Sequence, residues 1–149
     1  MYDANFFVYQ HRVLRPLLVW GVGSSVSGAL LLLVPGVARH FGLQAVGWGG
    51  FDLLLALVGR RRALLKAEAV VHGDLDEQTV AREIEQFHTI IAVNAGLDLL
   101  YIAVGLAVAA RAADRPSHQG LGYGIAAQGA FLFAFDALLA RDVNRRFLS

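Results

Sequence analysis

Three aspartates stand where an acidic side chain is expensive: Asp52, Asp98 and Asp136 each lie inside a long apolar stretch. At the centre of a membrane span an aspartate costs about 2.5 to 3.5 kcal/mol on insertion scales, so each is expected to face protein or water and to have a partner. Carboxyl groups held in that way can take up and release a proton or hold a small cation. Polar companions fall on the same helical faces. Gln44, Trp48 and Asp52 follow i, i+4, i+8; Asn94, Asp98, Tyr101 and Gly105 follow i, i+4, i+7, i+11; Trp20, Ser24 and Ser27 follow the same spacing, and Gln128 precedes Asp136 by eight residues. The spacing predicts one inward polar stripe per helix, a polar pocket shared by the carboxylates, and Gln44, Asn94, Tyr101 and Gln128 as their hydrogen-bond partners. Two readings stay open: interhelical glue that fixes the register of the helices, or a water-accessible proton or cation site.

Other chemistries find less support. His11, His88, His40 and His118 fall at or beyond the ends of the apolar stretches; two stacked bis-His haem sites are geometrically conceivable in a four-helix bundle, but interfacial histidine is ordinary. Glu85-Gln86-Phe87-His88 is one Glu-x-x-His string, and a di-iron bundle needs two. With no cysteine there is neither a thiolate nucleophile nor a Cys-ligated metal. No string matches a P-loop, a dinucleotide fingerprint or a nucleophile elbow. The expectation is a protein that is not an enzyme and needs no cofactor or metal. A net charge of +1 gives no reason to expect a nucleic-acid partner.

The elements that must position the carboxylates are membrane helices. Of 149 residues, 56% are hydrophobic and 17% charged, outside the ordinary soluble range, and four stretches approach the ~20 apolar residues that a spanning helix needs. They run from about Pro16 to Val34, Leu43 to Val58, Thr89 to Ala110 and Leu121 to Ala140. Met1 to Gln10 is polar and aromatic, and no cleavage site follows the first span, which reads as a retained helix and not a signal peptide. Arg12, Arg15, Arg60, Arg61, Arg62, Lys66, Arg82, Arg141, Arg145 and Arg146 fall on one side, against only Arg39, Arg111 and Arg115 on the other. That bias predicts both termini in the cytoplasm. Between the second and third spans, residues 60–88 are expected to form a cytoplasmic helical hairpin, with Arg60 to Val71 as a cytosolic extension of the second helix. Val80, Ile84 and Phe87 recur there at helical spacing, and Asp74 or Asp76 is placed to cap its second arm. The third helix would then run unbroken for roughly 50 Å.

The strings Phe51-Asp52-Leu53-Leu54-Leu55-Ala56 and Phe135-Asp136-Ala137-Leu138-Leu139-Ala140 align without a gap, each with a glutamine eight positions before its aspartate, Gln44 and Gln128. A parallel duplication of two hairpins and chance likeness in low-diversity apolar sequence both account for the match. Gly21 and Ser25, Ser24 and Gly28, and Gly23 and Ser27 are small-xxx-small pairs suited to close helix contact.

The run Asn94-Ala95-Gly96-Leu97-Asp98 with Tyr101 and Gly105, then Gly122-Tyr123-Gly124 and Gln128-Gly129-Ala130-Phe131-Leu132-Phe133 with Phe135-Asp136, resembles an uncharacterised bacterial family of small four-helix membrane proteins. The likeness covers mainly the C-terminal half, with Gln10, Arg12 and Trp48 in the N-terminal half. It implies a location in the bacterial inner membrane and the all-α fold, and brings no activity with it.

Together these features predict an all-α, four-transmembrane-helix bundle that binds or conducts a proton, a cation or a small molecule. The site would comprise Asp52, Asp98, Asp136, Gln44, Asn94, Tyr101, Gln128, Trp48 and Ser24. An accessory or scaffolding subunit of a larger membrane complex and a haem-bearing electron carrier are the alternatives. Besides membrane lipids, the expected partner is a second copy of the chain, since four helices make a thin bundle.

Overall fold

A computed structural model describes residues 3–112 and 114–149, and within them the chain is all-α. The helices are α1 (Asp3–Val13), α2 (Arg15–Leu31), α3 (Val37–His72), α4 (Glu77–Arg111) and α5 (Pro116–Val143), and a π-helical turn over Asn144–Leu148 prolongs α5. Taking α1 and α2 as one run, four helices are long and apolar enough to cross a membrane.

Each break in the helical path has a local cause. Pro16 has no backbone N–H, and its ring crowds the carbonyl four residues back, so α1 and α2 part at Leu14. Even so, the Leu14 and Leu18 amides still reach the Gln10 and Leu14 carbonyls, which keeps the two helices nearly in line. After α2, Gly36 takes φ +82° to start α3, a conformation that suits glycine. Gly73, at φ +80°, ends α3: its amide reaches the Val70 carbonyl at 3.1 Å and the Asp74 amide reaches that of Ala69 at 2.8 Å. That is the left-handed cap of a helix C-terminus. Asp76 then accepts from the Thr79 amide at 2.7 Å and begins α4.

The boundaries differ from the hydropathy reading in three places. The segment over residues 3–13 is a helix, and α2 stops at Leu31, short of Val34. Also, α3 starts at Val37, ahead of Leu43; its unbroken run through Gly59 and the arginine triplet to His72 is the expected extension of the second span. Helix α4, with 35 residues, is likewise continuous. Hydropathy marks where a helix would meet lipid, whereas backbone hydrogen bonding carries it further into polar sequence.

Helix α2 packs on α3, α4 on α5, and α3 on α5, with α1 laid along α3. Both hairpins cross through glycine. A Cβ on Gly28 would lie 2.8 Å from the Gly42 carbonyl oxygen and the Val46 nitrogen, and one on Gly105 would lie 2.7 Å from the Gly122 oxygen and 2.6 Å from the Ala126 nitrogen. These contacts bring Gly42 into correspondence with Gly122 and Val46 with Ala126. In that packing register Asp52 corresponds to Leu132; the Phe-Asp strings align one helical turn away.

At the end of the bundle where the chain termini lie, Phe6 and Phe7 are fully buried among Ala67, Val80, Ile84, Ile91, Leu139 and Val143. Phe6 meets the rings of Phe87 and Phe147 edge-on at 5.8 and 5.3 Å, geometry that aromatic pairs favour. Arg60 fastens α1 to α3: its Nη1 donates to the His11 carbonyl at 2.8 Å and its Nη2 to His11 Nε2 at 2.9 Å. On the other side Tyr9 donates to Asp142 at 2.6 Å, and Arg146 pairs with the same carboxylate at 2.8 Å. An aromatic plug therefore closes this end of the bundle.

Candidate functional site

The three carboxylates come together. Asp52, Asp98 and Asp136 are 1%, 3% and 7% exposed, and all line one cavity of about 200 Å³. The burial of Asp52 and Asp136 follows from their helices, since α3 and α5 pack side by side; Asp98 enters from α4, which lies against α5. Gln128 donates from Nε2 to Asp52. The carboxyl groups of Asp98 and Asp136 meet within hydrogen-bonding reach, while Asp98 Oδ2 is buried with no partner.

No lysine, arginine or histidine lines this cavity, and no described ion pair involves its acids. A carboxylate is acceptor-only, so a hydrogen bond between two carboxyl groups uses a proton carried by one of them. Among the described residues no group of three or more His, Cys, Asp or Glu is arranged to hold a metal ion. The facing carboxyl groups of Asp98 and Asp136 suit the sharing of one proton.

Of the four expected partners of the carboxylates, only Gln128 makes the bond. Asn94 and Tyr101 are exposed and stand at the cavity's rim, with Tyr101 tilted against Trp48 at 6.2 Å between ring centroids. They flank Asp98 by one turn in each direction, and on that helix only the central position points at α5. Gln44 is further removed. It lies ~12 Å along α3 from Asp52 and faces a separate groove, which Ser24 also lines. Trp48 borders the carboxylate cavity. The polar stripes thus divide between two compartments: Trp48, Asn94 and Tyr101 line the cavity of the aspartates, whereas Ser24, Gln44 and Gln128 line the groove.

Gln128 forms the wall between the compartments. Its Oε1 accepts from Trp20 Nε1 at 2.9 Å while its amide nitrogen serves Asp52, so one side chain joins α2, α5 and α3. Trp20 in turn stacks on Phe131 at 4.0 Å, with the rings 4° from parallel. The Trp20–Gln128 bond spans 108 positions of sequence, and neither residue's spacing within its own helix announces it. The ring nitrogens of His11 both face Arg60, with Nδ1 3.1 Å from the Arg60 carbonyl oxygen; axial haem ligation at His11 would first have to break that contact.

A family model described as a family of unknown function, DUF6992, matches residues 16–137. The chain belongs to this family. The matched stretch includes all three carboxylates, Gln128 and Trp20, and it reaches well into the N-terminal half, beyond where the sequence likeness was concentrated. Helix α1, with its phenylalanine plug, precedes the match. No curated protein and no solved structure matches the chain.

Proposed function

We propose that the chain is a multi-pass protein of the bacterial plasma membrane, with both termini in the cytoplasm, whose carboxylate cavity binds a proton and couples it to a small-molecule or ion partner. The observation that carries this reading is the company the three acids keep. They share one cavity with one another, Asp52 accepts from Gln128 at its edge, and no cationic side chain lines it. Structural glue alone would be served as well by neutral Asn or Gln, which hydrogen-bond across helices without the insertion cost of a charge.

Binding is better supported than free conduction. Toward the chain termini the cavity meets the buried Phe6–Phe7 plug, and toward the other end it meets the backbone-to-backbone crossing at Gly105 and Gly122. Its open side faces outward between α3 and α4, where Phe51, Leu55, Leu97 and Tyr101 are exposed. A second reading, a subunit that docks a larger partner, is favoured by Leu64, Leu65 and Val71, which are exposed on the part of α3 beyond the arginine triplet.

Proteoliposomes separate the two. Proton uptake or flux driven by an imposed gradient should fall several-fold in Asp98→Asn and Asp52→Asn, with the fold retained. Unchanged flux together with lowered thermal stability would reduce the acids to structural members and leave the docking reading.

A further inference from the structure

The backbones of α2 and α5 stand apart, bridged by Trp20 with Gln128 and Phe131, and the space between them, floored by α3, is a groove of about 840 Å³. Its character changes along its length. One end carries Arg12 and Arg15, both exposed, and neither is engaged in an ion pair or hydrogen bond among the described residues. Asp142, the acid that shares Arg12's other border, is already held by Tyr9 and Arg146. Among the described residues, therefore, none neutralises the two guanidinium charges at the groove's mouth. Beyond them the walls are largely apolar, formed by Val19, Phe41, Ala45, Ala127 and the face of Phe131. From Arg15 to Ser27, both on its lining, the groove runs ~18 Å along α2, comparable with half of a hydrocarbon core roughly 30 Å thick.

We infer that this groove seats one anionic phospholipid, its phosphate between Arg12 and Arg15 and one acyl chain laid between α2 and α5 against the Trp20–Phe131 pair. The inference rests on the membrane placement proposed above but not on the carboxylate cavity, so the two can fail separately. Charge selects the headgroup: a basic residue at an anionic membrane surface is worth roughly fivefold in binding, and guanidinium matches phosphate with paired donors. Shape selects the chain, because the groove is long and open on its lipid side where a compact soluble anion would leave most of it empty. The seat also touches the site indirectly, since Trp20 hydrogen-bonds the same Gln128 that serves Asp52.

Trp20 is the natural reporter, because the chain has only two tryptophans and Trp48→Phe leaves it alone. The protein is reconstituted in phosphatidylcholine vesicles containing a minor fraction of phosphatidylglycerol, with acyl-chain bromine on either lipid. Bound anionic lipid predicts Trp20 quenching by brominated phosphatidylglycerol well above its share of the bilayer. The apparent preference should drop roughly fivefold in Arg12→Gln, drop further in Arg12→Gln with Arg15→Gln, and persist when both are lysine. Quenching that merely follows the bulk lipid ratio, or a preference that survives the double glutamine variant, would overturn the inference. Circular dichroism of each variant verifies that helix content is unchanged.

Discussion

Gln128 on α5 donates its side-chain amide to the carboxylate of Asp52 on α3, and that bond is the direct polar tie between the bundle's two central helices at the level of the cavity. The same glutamine accepts from Trp20, so its loss would leave an indole N–H and a buried carboxylate without their partner.

Gln128→Leu should therefore lower stability by about 1 to 2 kcal/mol, at the upper end of what single interhelical polar contacts contribute in membranes. Asp52→Asn keeps an acceptor oxygen for Gln128 and should cost less. Thermal unfolding of the two variants in one detergent gives the ranking, and a Gln128→Leu protein as stable as its parent would show that the bond contributes nothing.

The glycine crossings give a sharper contrast. A methyl group at Gly105 would press on backbone atoms of α5 that have nowhere to go, and overpacking of this kind typically costs 1 to 3 kcal/mol. Gly23 and Gly47 have nothing within 4 Å of a built Cβ, so alanine there should be neutral or slightly stabilising through helix propensity. Gly105→Ala should melt earlier than parent, and Gly23→Ala and Gly47→Ala should not.

At the start of α4, the Thr79 side chain and amide hold the Asp76 carboxyl below its ordinary value of 3.8. A carboxylate whose folded value is depressed stabilises the fold fully above the unfolded value, and that contribution is lost as pH falls through the folded one. Protection of the Thr79 and Val80 amides, taken relative to the intrinsic exchange rate at each pH, should fall below pH 3.8 in the parent. In Asp76→Ala it should be low at neutral pH already, whereas Asp76→Asn, which keeps a capping oxygen, should show no such acid step.

What the sequence made legible was whatever repeats along a single helix. Apolar length marked the four long helices, and the cost of burying acid marked Asp52, Asp98 and Asp136 as inward-facing. Two kinds of information were not local. The partners of the acids depend on how α2, α4 and α5 sit around α3, which is why Gln128 could not be told from Gln44, Asn94 and Tyr101 by spacing alone. The Phe-Asp strings also suggested a hairpin register one turn away from that of the glycine contacts, because a helical face looks nearly the same after four residues. Helix α1 was hidden for another reason. Its buried face is a cluster of phenylalanines with no apolar run long enough to read as a span, and its role as a plug appears only where α3, α4 and α5 meet it.

The central claim is that Asp98 and Asp136 hold a proton between them. Infrared spectroscopy of the purified protein measures this most directly, since a protonated carboxyl group and a carboxylate absorb separately. The account predicts a protonated-carboxyl carbonyl band at neutral pH that shifts in D2O and disappears when both residues are asparagine. A spectrum in which every carboxyl group is ionised, or a band that survives the double substitution, would contradict it.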